Sequence, residues 1–319
     1  MRMSAIRVSA ASIAIASAIA LLAGTALASP ADRVASIAQV TAAVKASVSI
    51  KSTPTVVEQS LKEYASPSSF DLTGPSTFGA CDPYNSEALA LKPKPCFSGN
   101  LHGTKTIVLV GDSNVGNWVP ALSRGLASTP YRLAVFGFSS CGLANIAYGP
   151  SWGTLHERCR QWHANLPAAV RALHPVAVLA SSGAVGSTLP TKEWVNGVKN
   201  VFVESTRGAP STKRVLMGTS PFFAESAVTC LTVHNDPQDC SLEYTPGSGY
   251  YGSILARDKK IADASNAVLI DTTKFFCHSD TCSPVIGDEL VYSDIDHVTI
   301  AYSSFISKAV TSAVLAALK

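Results

Sequence analysis

Two short motifs, far apart in the chain, contain the residue types that nucleophilic catalysis requires. Gly111-Asp112-Ser113 follows an apolar run, and Asp294-Ile295-Asp296-His297 precedes the last long helical pattern. A serine hydroxyl is a poor nucleophile unless a base accepts its proton. That base is usually a histidine, which an acid holds in one tautomer. Ser113, His297 and Asp294 are therefore the candidate nucleophile, base and orienting acid.

Each motif also has a purely structural interpretation. Ser113 could cap a helix at a strand–helix turn, and Asp294 and Asp296 could cap the helix that follows them. Another histidine, His278, lies between two cysteines. Five further histidines lack an acid three residues earlier in a loop that could form a site: His102, His156, His163, His174 and His234. The two motifs taken together favour catalysis over capping.

The elements that must position these motifs alternate regularly from residue 105 onward. Strands are predicted at 106–111, 132–138, 176–181, 214–219 and 267–271. Helices are predicted at 115–126, 157–173, 192–204, 250–264 and 300–318. This alternation predicts an α/β fold, a three-layer α/β/α sandwich with a central parallel sheet. Ligands bind at the carboxyl ends of such strands, and Ser113 follows the first predicted strand.

The N-terminal region is predicted to lie outside this fold. A basic start with Arg2 and Arg7, an apolar run at 13–22 and Ala-Leu-Ala before Ser29 are typical of a secretory signal peptide. An uncleaved membrane anchor is the alternative, but the apolar run is short for a span. The chain is expected to be secreted or extracytoplasmic, in the cell envelope. The predicted regions are a signal peptide at 1–28, an extension that is either a stalk or surface-packed at 29–75, with a short helix at 56–65, and the main domain at 76–319, which opens with an ordered loop at 76–104.

The charge of the exported chain is close to neutral. The sequence has 25 Lys and Arg against 22 Asp and Glu, and two of the basic residues belong to the predicted signal peptide. The remaining charge of +1 gives no support for nucleic-acid binding or for strong attraction to a membrane surface.

The sequence has eight cysteines, an even number that favours disulfides in an exported protein. Many connectivities are open, and pairing of sequence neighbours is the simplest. Zinc is an alternative at Cys277 and Cys282 with His278 nearby, but the spacing is poor and no second ligand pair is evident. The neighbour pairs are Cys81–Cys96, Cys141–Cys159, Cys230–Cys240 and Cys277–Cys282.

Two other motifs are weaker. The stretch "GSGYYG" at 247–252 matches a dinucleotide-binding pattern, but the preceding "CSLEYTP" is not a buried strand. The serine does not fit the α/β-hydrolase elbow G-x-S-x-G, because Val115 occupies the second glycine position.

The two candidate motifs carry a family resemblance. "GDSN" at 111–114 and "DIDH" at 294–297 resemble the first and last blocks of the SGNH (GDSL-type) hydrolase superfamily. The likeness is closer to extracytoplasmic SGNH domains fused to acyltransferase family 3 membrane proteins. It covers about residues 75–319, with "VLVGDSNVGNWVPAL", "SSCG", "CRQW", "VAVLASS" and a late cysteine-containing segment, "DTTKFFCHSDTCSPVIGDELVYSD".

The resemblance implies roles for individual residues. Ser113 would be the nucleophile, His297 the general base and then acid, and Asp294 the orienting acid. The backbone N–H of Ser113 would form the oxyanion hole with Gly142, Gly137 being the alternative. No cofactor or metal is implied.

The implied function is that of an exported serine esterase or O-acyltransferase. It would act on small acyl esters, acetyl above all, of cell-envelope carbohydrate or on other small esters. The chain is expected to be a free-standing exported version of these SGNH domains, and a separate membrane acyltransferase is an expected partner.

The sequence departs from the family pattern at two places. Asn114 stands where the nearest relatives commonly have histidine, and the third block, Gly-x-Asn-Asp in many members, reads "ASSGAVGS" at 180–187. The alternative function is therefore a catalytically weak or inactive glycan-binding protein. Seven aromatic residues could line a sugar groove or belong to the core: Trp118, Trp152, Trp162, Phe222, Phe223, Tyr250 and Tyr251.

Overall fold

A computed structural model describes residues 33–64, 86–146, 153–183 and 191–319. The predicted signal peptide, Cys81, Trp152 and residues 184–187 of the third block lie outside the described residues.

The main sheet has six strands within the described part of the chain, in the order β1-β3-β2-β4-β5-β7. Its strands are β1 (Cys96–Gly99), β2 (Lys105–Gly111), β3 (Tyr131–Gly137), β4 (Ala177–Ser181), β5 (Lys213–Met217) and β7 (Val268–Ile270). Short strands of two smaller sheets are β6 (Leu242–Glu243), β8 (Cys277–His278), β9 (Thr281–Cys282), β10 (Val285–Ile286) and β11 (Glu289–Leu290). The strand pairs β2–β3, β2–β4, β4–β5 and β5–β7 are parallel, and β1 pairs antiparallel with β3 at the edge.

The apolar runs form central strands because both faces of the sheet are covered. Ile107 and Leu109 of β2 point into one core, whereas Val108 and Val110 point into the other. All four side chains are fully buried, as expected for parallel strands between two helical layers.

The helices are α1 (Ile37–Ser47), α2 (Thr55–Tyr64), α3 (Glu87–Leu91), α4 (Val119–Leu126), α5 (Gly153–Arg171), α6 (Thr191–Ser205), α7 (Ala227–Val233), α8 (Gly249–Ser265), α9 (Ile300–Phe305) and α10 (Ser307–Ala317). Helices α1, α4, α9 and α10 contribute to the core on one face of the sheet. Helices α3, α5, α6 and α8 contribute to the core on the other face. The prediction of a three-layer α/β/α fold is confirmed.

Three predicted elements differ in detail. Residues 96–99, predicted as part of a loop, form the edge strand β1, so the strand before Ser113 is the second in the chain. The helix predicted from 115 begins with a 3₁₀ turn, Ser113–Asn117. The helix predicted at 300–318 is interrupted at Ile306, whose ψ of 5° departs from helical geometry. A four-residue edge strand lacks the long apolar run that reveals a buried strand, which explains why β1 is not evident in the sequence.

The described part of the N-terminal extension packs against the main body. Val40 and Val44 of α1 lie in the core beneath the sheet, and Ala35 donates a backbone hydrogen bond to the Phe305 carbonyl at 3.0 Å. In α2, Val57 and Leu61 pack in a separate cluster with residues of α7. The described residues of the predicted extension thus contribute side chains to the core.

Three of the neighbour cysteine pairs form disulfides: Cys141–Cys159, Cys230–Cys240 and Cys277–Cys282. The zinc alternative at the last pair is wrong, because both sulfurs are joined in a bond across β8 and β9. The fourth predicted pair, Cys81–Cys96, includes a residue outside the described ranges. None of the helices in the described part of the chain is long and apolar enough to cross a bilayer.

Candidate active site

Ser113 lies at the point where the strand order of the sheet reverses. Strand β2 ends at Gly111 between β3 and β4, and the 3₁₀ turn begins two residues later. A Cβ at Gly111 would lie 1.7 Å from the carbonyl oxygen of Ser181, so only glycine allows β2 to approach β4 this closely. Such a switch point is the usual ligand site of an open α/β sheet.

Asp112, not Ser113, caps the turn. Its Oδ1 accepts a hydrogen bond from the N–H of Asn114 at 2.9 Å. Its Oδ2 accepts from the Ser182 hydroxyl at 2.5 Å, and the N–H of Gly183 donates to the same carboxylate at 3.0 Å. Burial raises the pKa of Asp112, and these three hydrogen bonds oppose that rise. The carboxylate therefore joins the ends of β2 and β4 and leaves the Ser113 side chain free of a capping role.

His297 lies in a tight loop that precedes α9. The carboxylate Oδ1 of Asp294 accepts from the N–H groups of Asp296 and His297, at 2.9 and 2.8 Å. Thr299 is the N-cap of α9, and its hydroxyl accepts from the N–H of Tyr302. The capping interpretation of Asp294 and Asp296 is therefore wrong for this helix, since a third residue caps it.

The two loops bring the three predicted residues into one hydrogen-bonded series, Ser113–His297–Asp294, which we call the Ser–His–Asp line. Ser113 Oγ lies 2.8 Å from Nε2 of His297, and Nδ1 of His297 lies 2.7 Å from Oδ2 of Asp294. With the ring proton on Nδ1 facing the carboxylate, Nε2 is free to accept the serine proton. This is the arrangement that general-base activation of a serine requires.

The charges around His297 favour its protonated form. Burial by itself lowers the pKa of His297, but the hydrogen bond and charge of Asp294 and the charges of Asp296 and Asp112 outweigh it. Together they raise the pKa to about 9. Burial raises the pKa of Asp294, yet its hydrogen bonds and the charge of His297 bring it below the ordinary value.

A second carboxylate reaches the same ring nitrogen. Asp296 Oδ1 lies 3.3 Å from Nδ1 of His297, and Asp296 is buried. Burial and the charge of Asp294 raise the pKa of Asp296, although His297 and the Asn114 amide oppose that rise. His297 therefore faces two acids, at 2.7 and 3.3 Å.

Asn114 has a structural partner that its position in the sequence does not reveal. Its amide donates to Asp296 Oδ2 at 3.1 Å, and its carbonyl accepts from the Asn117 amide at 3.0 Å. The Asn117 amide also donates to the Asp296 backbone carbonyl at 3.1 Å, and its Oδ1 accepts from the N–H of Val298 at 2.9 Å. Asn114 and Asn117 thus attach the serine turn to both sides of His297.

The predicted oxyanion residue Gly142 lies in a buried segment after β3. Its carbonyl accepts a hydrogen bond from Nε2 of His163 at 3.0 Å, and the N–H of Leu143 donates to Ser182 Oγ at 3.3 Å. The alternative residue Gly137 is in register with Gly111 at the end of β3. The N–H of Ser113 is the first of its 3₁₀ turn and has no acceptor inside that turn.

His163 is a buried histidine that the sequence analysis set aside. Burial lowers its pKa to about 4, although the bond to Gly142 opposes that shift, so the ring is neutral and donates through Nε2. It lies four residues after Cys159 on α5, and Cys159 is bonded to Cys141, the neighbour of Gly142. The spacing Cys-x₃-His, which places both side chains on one helix face, is the signal that could have identified it.

Two groups of side chains within the described ranges have donor atoms close enough to share a metal ion. Cys141, Cys159 and His163 form the first, but its sulfurs are joined in a disulfide. The second consists of Asp294, Asp296 and His297, whose donor atoms are hydrogen-bonded to one another or to Asn114. In both groups the donor atoms are thus engaged within the protein, by a disulfide in the first and by hydrogen bonds in the second.

A hydrogen-bonded Ser–His–Asp line at the switch point of a parallel sheet is an arrangement found in serine hydrolases, and sequence comparison shows the family. The sequence model of the SGNH domain that is fused to AT3 domains matches residues 80–312. The chain belongs to this family, which confirms the resemblance inferred from the motifs. No protein of curated function matches the sequence.

Solved structures share the fold at low sequence identity. The periplasmic domain of a lipopolysaccharide acetyltransferase from Salmonella ser. Paratyphi A has a TM-score of 0.58 and 15% identity, over 79% of this chain and 99% of that one. An aryl esterase of M. smegmatis gives a TM-score of 0.44 at 15% identity, over 67% of this chain and 100% of the other. A carbohydrate acetylesterase from Sinorhizobium meliloti gives 0.43 at 15% identity, over 67% and 99%. At this identity the first likeness supports the fold, and the weaker two add nothing to it.

Proposed function

We propose that the protein is an exported serine esterase or O-acyltransferase that acts on small acyl esters of cell-envelope carbohydrate. The observation that carries the proposal is the continuous line from Ser113 Oγ through His297 to Asp294, with atom separations of 2.8 and 2.7 Å. The nucleophile and the base are in hydrogen-bond contact, which is the geometry that proton transfer from the serine needs.

In the proposed mechanism, Ser113 Oγ attacks the ester carbonyl while Nε2 of His297 takes the hydroxyl proton. Asp294 stabilises the imidazolium that forms. The tetrahedral intermediate collapses when His297 returns this proton to the leaving alcohol, and an acyl-serine remains. Water or a sugar hydroxyl then attacks the acyl carbon while His297 takes its proton. The bond to Ser113 Oγ breaks, and His297 returns the proton to this oxygen. The N–H groups of Ser113 and Gly142 are the proposed oxyanion donors, each worth roughly 3 kcal/mol.

The substrate class rests on family membership. The family model describes SGNH domains that are fused to AT3 domains. The solved structure with a TM-score of 0.58 is that of a lipopolysaccharide acetyltransferase domain. Acetyl is therefore the proposed acyl group and envelope carbohydrate the proposed alcohol. A membrane acyltransferase is the proposed partner that supplies or receives the acyl group.

Export is supported by two features. Residues 1–28 have the pattern of a signal peptide, and three disulfides lie among the described residues. Disulfides persist in oxidising compartments, so the proposed location is outside the cytoplasm, in the cell envelope or secreted.

A serine-reactive fluorophosphonate probe and hydrolysis of 4-nitrophenyl acetate test the catalytic proposal. We expect labelling and acetate release in the wild type and neither in Ser113→Ala. Ser123→Ala is the matched control, since this hydroxyl lies on α4 and donates to Ser98, outside the Ser–His–Asp line. A correctly folded wild type that shows neither labelling nor release at any pH from 6 to 10 would overturn the proposal.

The alternative is a protein that binds acylated glycan without turnover. It is favoured by the pKa of about 9 for His297, which leaves the base protonated at neutral pH.

Adding a glycan acceptor to the acetate-release assay separates the two enzymatic options, esterase and transferase. Acyl transfer to the acceptor supports a transferase, and release that ignores the acceptor supports an esterase. Binding of acetylated glycan with no turnover up to pH 10 supports the alternative.

A further inference from the structure

A large cleft lies between the segment after β5 and the N-terminus of α8. It has a volume of about 750 Å³, within the roughly 300–1,000 Å³ of small-molecule sites. Its walls come from the segment after β5, from β6 and from the N-terminus of α8. We call it the Tyr250 cleft; the residues that matter to its use are Phe222, Glu243, Thr245, Ser248 and Tyr250.

The segment after β5 that lines the Tyr250 cleft is hydrogen-bonded to the loop that carries His297. The residue after Phe222, Phe223, donates its backbone N–H to the Ile295 carbonyl at 2.8 Å. The N–H of Ala227 donates to the carbonyl of Asp294 at 3.2 Å. The strand-end segment that lines the cleft is therefore hydrogen-bonded to the residues immediately before His297.

The floor of the cleft is attached to the serine turn as well. Tyr251 is buried, and its hydroxyl donates to the carbonyl of Thr219 at 2.9 Å. The next residue, Ser220, accepts from the Asn117 amide at 3.0 Å through its hydroxyl oxygen. The turn that carries Ser113 and the loop that carries His297 are thus each hydrogen-bonded to a segment that lines or supports this cleft.

The glycine-rich stretch at 247–252 shapes the turn that presents Tyr250. Gly247 and Gly249 have φ values of 77° and 63°, a region that favours glycine. A Cβ at Gly252 would lie 1.9 Å from the carbonyl oxygen of Thr245, so the turn closes tightly against α8. The strand before it, β6, pairs antiparallel with β9, which excludes the βαβ unit of a dinucleotide site.

Two aromatic rings form an open surface at this turn. The ring of Tyr250 is half exposed, and its centroid lies 5.5 Å from that of Phe222 with the two planes at 50°. Exposed polar side chains of Glu243, Thr245 and Ser248 lie around the rings. The electron-rich faces of aromatic rings suit the C–H faces of a sugar ring, whereas polar groups at the rim suit its hydroxyls.

We propose that the Tyr250 cleft binds a sugar ring of the acylated carbohydrate, with Tyr250 and Phe222 as its platform. This inference rests on the proposed function for the identity of the substrate. The exposed polar side chains around the two rings favour a sugar, which carries hydroxyls, over an alkyl chain, which has none. The acyl ester on such a sugar would be presented to Ser113 from this side, since the segments that line the cleft are hydrogen-bonded to both catalytic loops.

The first test compares two substrates in Tyr250→Ala, Tyr250→Phe and the wild type. One substrate is an O-acetylated hexose oligosaccharide, and the other is 4-nitrophenyl acetate, which has no sugar. The measured ratio is kcat/KM for the oligosaccharide divided by kcat/KM for 4-nitrophenyl acetate. We expect Tyr250→Ala to lower this ratio about 5- to 10-fold, through a higher KM for the oligosaccharide. Tyr250→Phe keeps the ring and should keep the ratio.

Phe97→Ala is the matched control. Phe97 is another exposed aromatic residue, but it lies on edge strand β1, with its ring against the Arg132 guanidinium. We expect both kcat/KM values to stay at wild-type level in this variant. An unchanged ratio in Tyr250→Ala, or an equal fall in Phe97→Ala, would overturn the cleft proposal.

The second test separates this proposal from the proposed function. Calorimetric titration of the deacetylated oligosaccharide into Ser113→Ala measures binding without turnover. Weaker binding in Ser113→Ala combined with Tyr250→Ala supports the cleft even if the wild type proves inactive. Turnover by the wild type together with undiminished binding in the double variant supports the function and refutes the cleft.

Discussion

The two acids around His297 make a specific prediction about pH. The histidine must be neutral to take the serine proton, and the pKa of His297 is raised to about 9. Two pH units below that pKa only about 1 molecule in 100 has a neutral ring. We therefore expect kcat/KM for 4-nitrophenyl acetate to rise about tenfold per pH unit from pH 6 to 8 and to level off near pH 9.

Substitution of the second acid isolates its contribution. Asp296→Asn removes a charge 3.3 Å from Nδ1 of His297 while keeping a group that can hydrogen-bond. A charge at this distance shifts a pKa by about 1–3 units, so the acid limb should move down by at least about one unit. Activity at pH 7 should then increase, whereas the plateau at high pH should stay close to that of the wild type.

The orienting acid should behave differently in the same assay. Asp294→Asn removes the 2.7 Å partner that fixes the tautomer, so the plateau itself should fall by about 10³–10⁴. Asp263→Asn is the control, an exposed acid on α8 that pairs only with Lys259 among the ion pairs observed. Rates from Ser113→Ala are subtracted at each pH to remove spontaneous hydrolysis.

A wild-type acid limb near pH 6.5 would refute this reasoning, because it would mean that neither acid affects the base. An acid limb that does not move in folded Asp296→Asn would refute the role of the second acid alone. Circular dichroism of each variant distinguishes these outcomes from loss of structure.

The same protonation affects stability in the opposite direction. A histidine whose folded-state pKa is about 9 and whose unfolded value is near ~6.5 stabilises the fold fully below pH 6.5. This contribution, at most about 3 kcal/mol, is lost as the pH rises through 9. Tm should therefore fall between pH 6.5 and 9.5 in the wild type and fall less in His297→Gln.

Three further predictions concern the surroundings of the site. Gly183→Ala should have a larger effect on the activation free energy, obtained from kcat/KM, than on the free energy of unfolding, because its Cβ would lie 2.4 Å from the Asn114 amide nitrogen. Kinetics and Tm measured on the same sample check this. His163→Ala should cost about 1–3 kcal/mol in urea unfolding by leaving the Gly142 carbonyl without its donor, and His163→Gln should recover part of that loss. Replacing both Cys141 and Cys159 by serine should cost about 2–4 kcal/mol and lower kcat; unchanged kcat would argue against a role for this segment in the oxyanion hole.

The main sheet and the Ser–His–Asp line could be predicted because their signals are local. Each central strand is a continuous apolar run, and each candidate residue stands directly beside a predicted element. Strand β1 could not be predicted, since four residues of mixed exposure at a sheet edge resemble a loop. The role of Asn114 could not be predicted either, because its partner, Asp296, lies 182 residues away.

The aromatic residues show the same limit. Trp118, Trp162, Phe223 and Tyr251 are buried, whereas Tyr250 is exposed beside the half-buried ring of Phe222. Sequence neighbours do not separate the two groups, since buried Trp162 stands between the polar residues Gln161 and His163. Which aromatic ring reaches the surface is decided by the helices and loops that pack against it. Only the folded chain shows which pair borders the cleft.

Asn114 affects how His297 pairs with the two acids beside it. A histidine between two carboxylates could pair with either, and each pairing would turn the ring differently relative to Ser113. The Asn114 amide donates to Asp296 Oδ2 and so directs part of that charge away from the ring, leaving Asp294 as the nearer partner. A neutral amide can do this without adding a charge beside the base. Asn114 therefore holds one oxygen of the second acid away from the ring, while the charge of Asp296 still raises the pKa of His297.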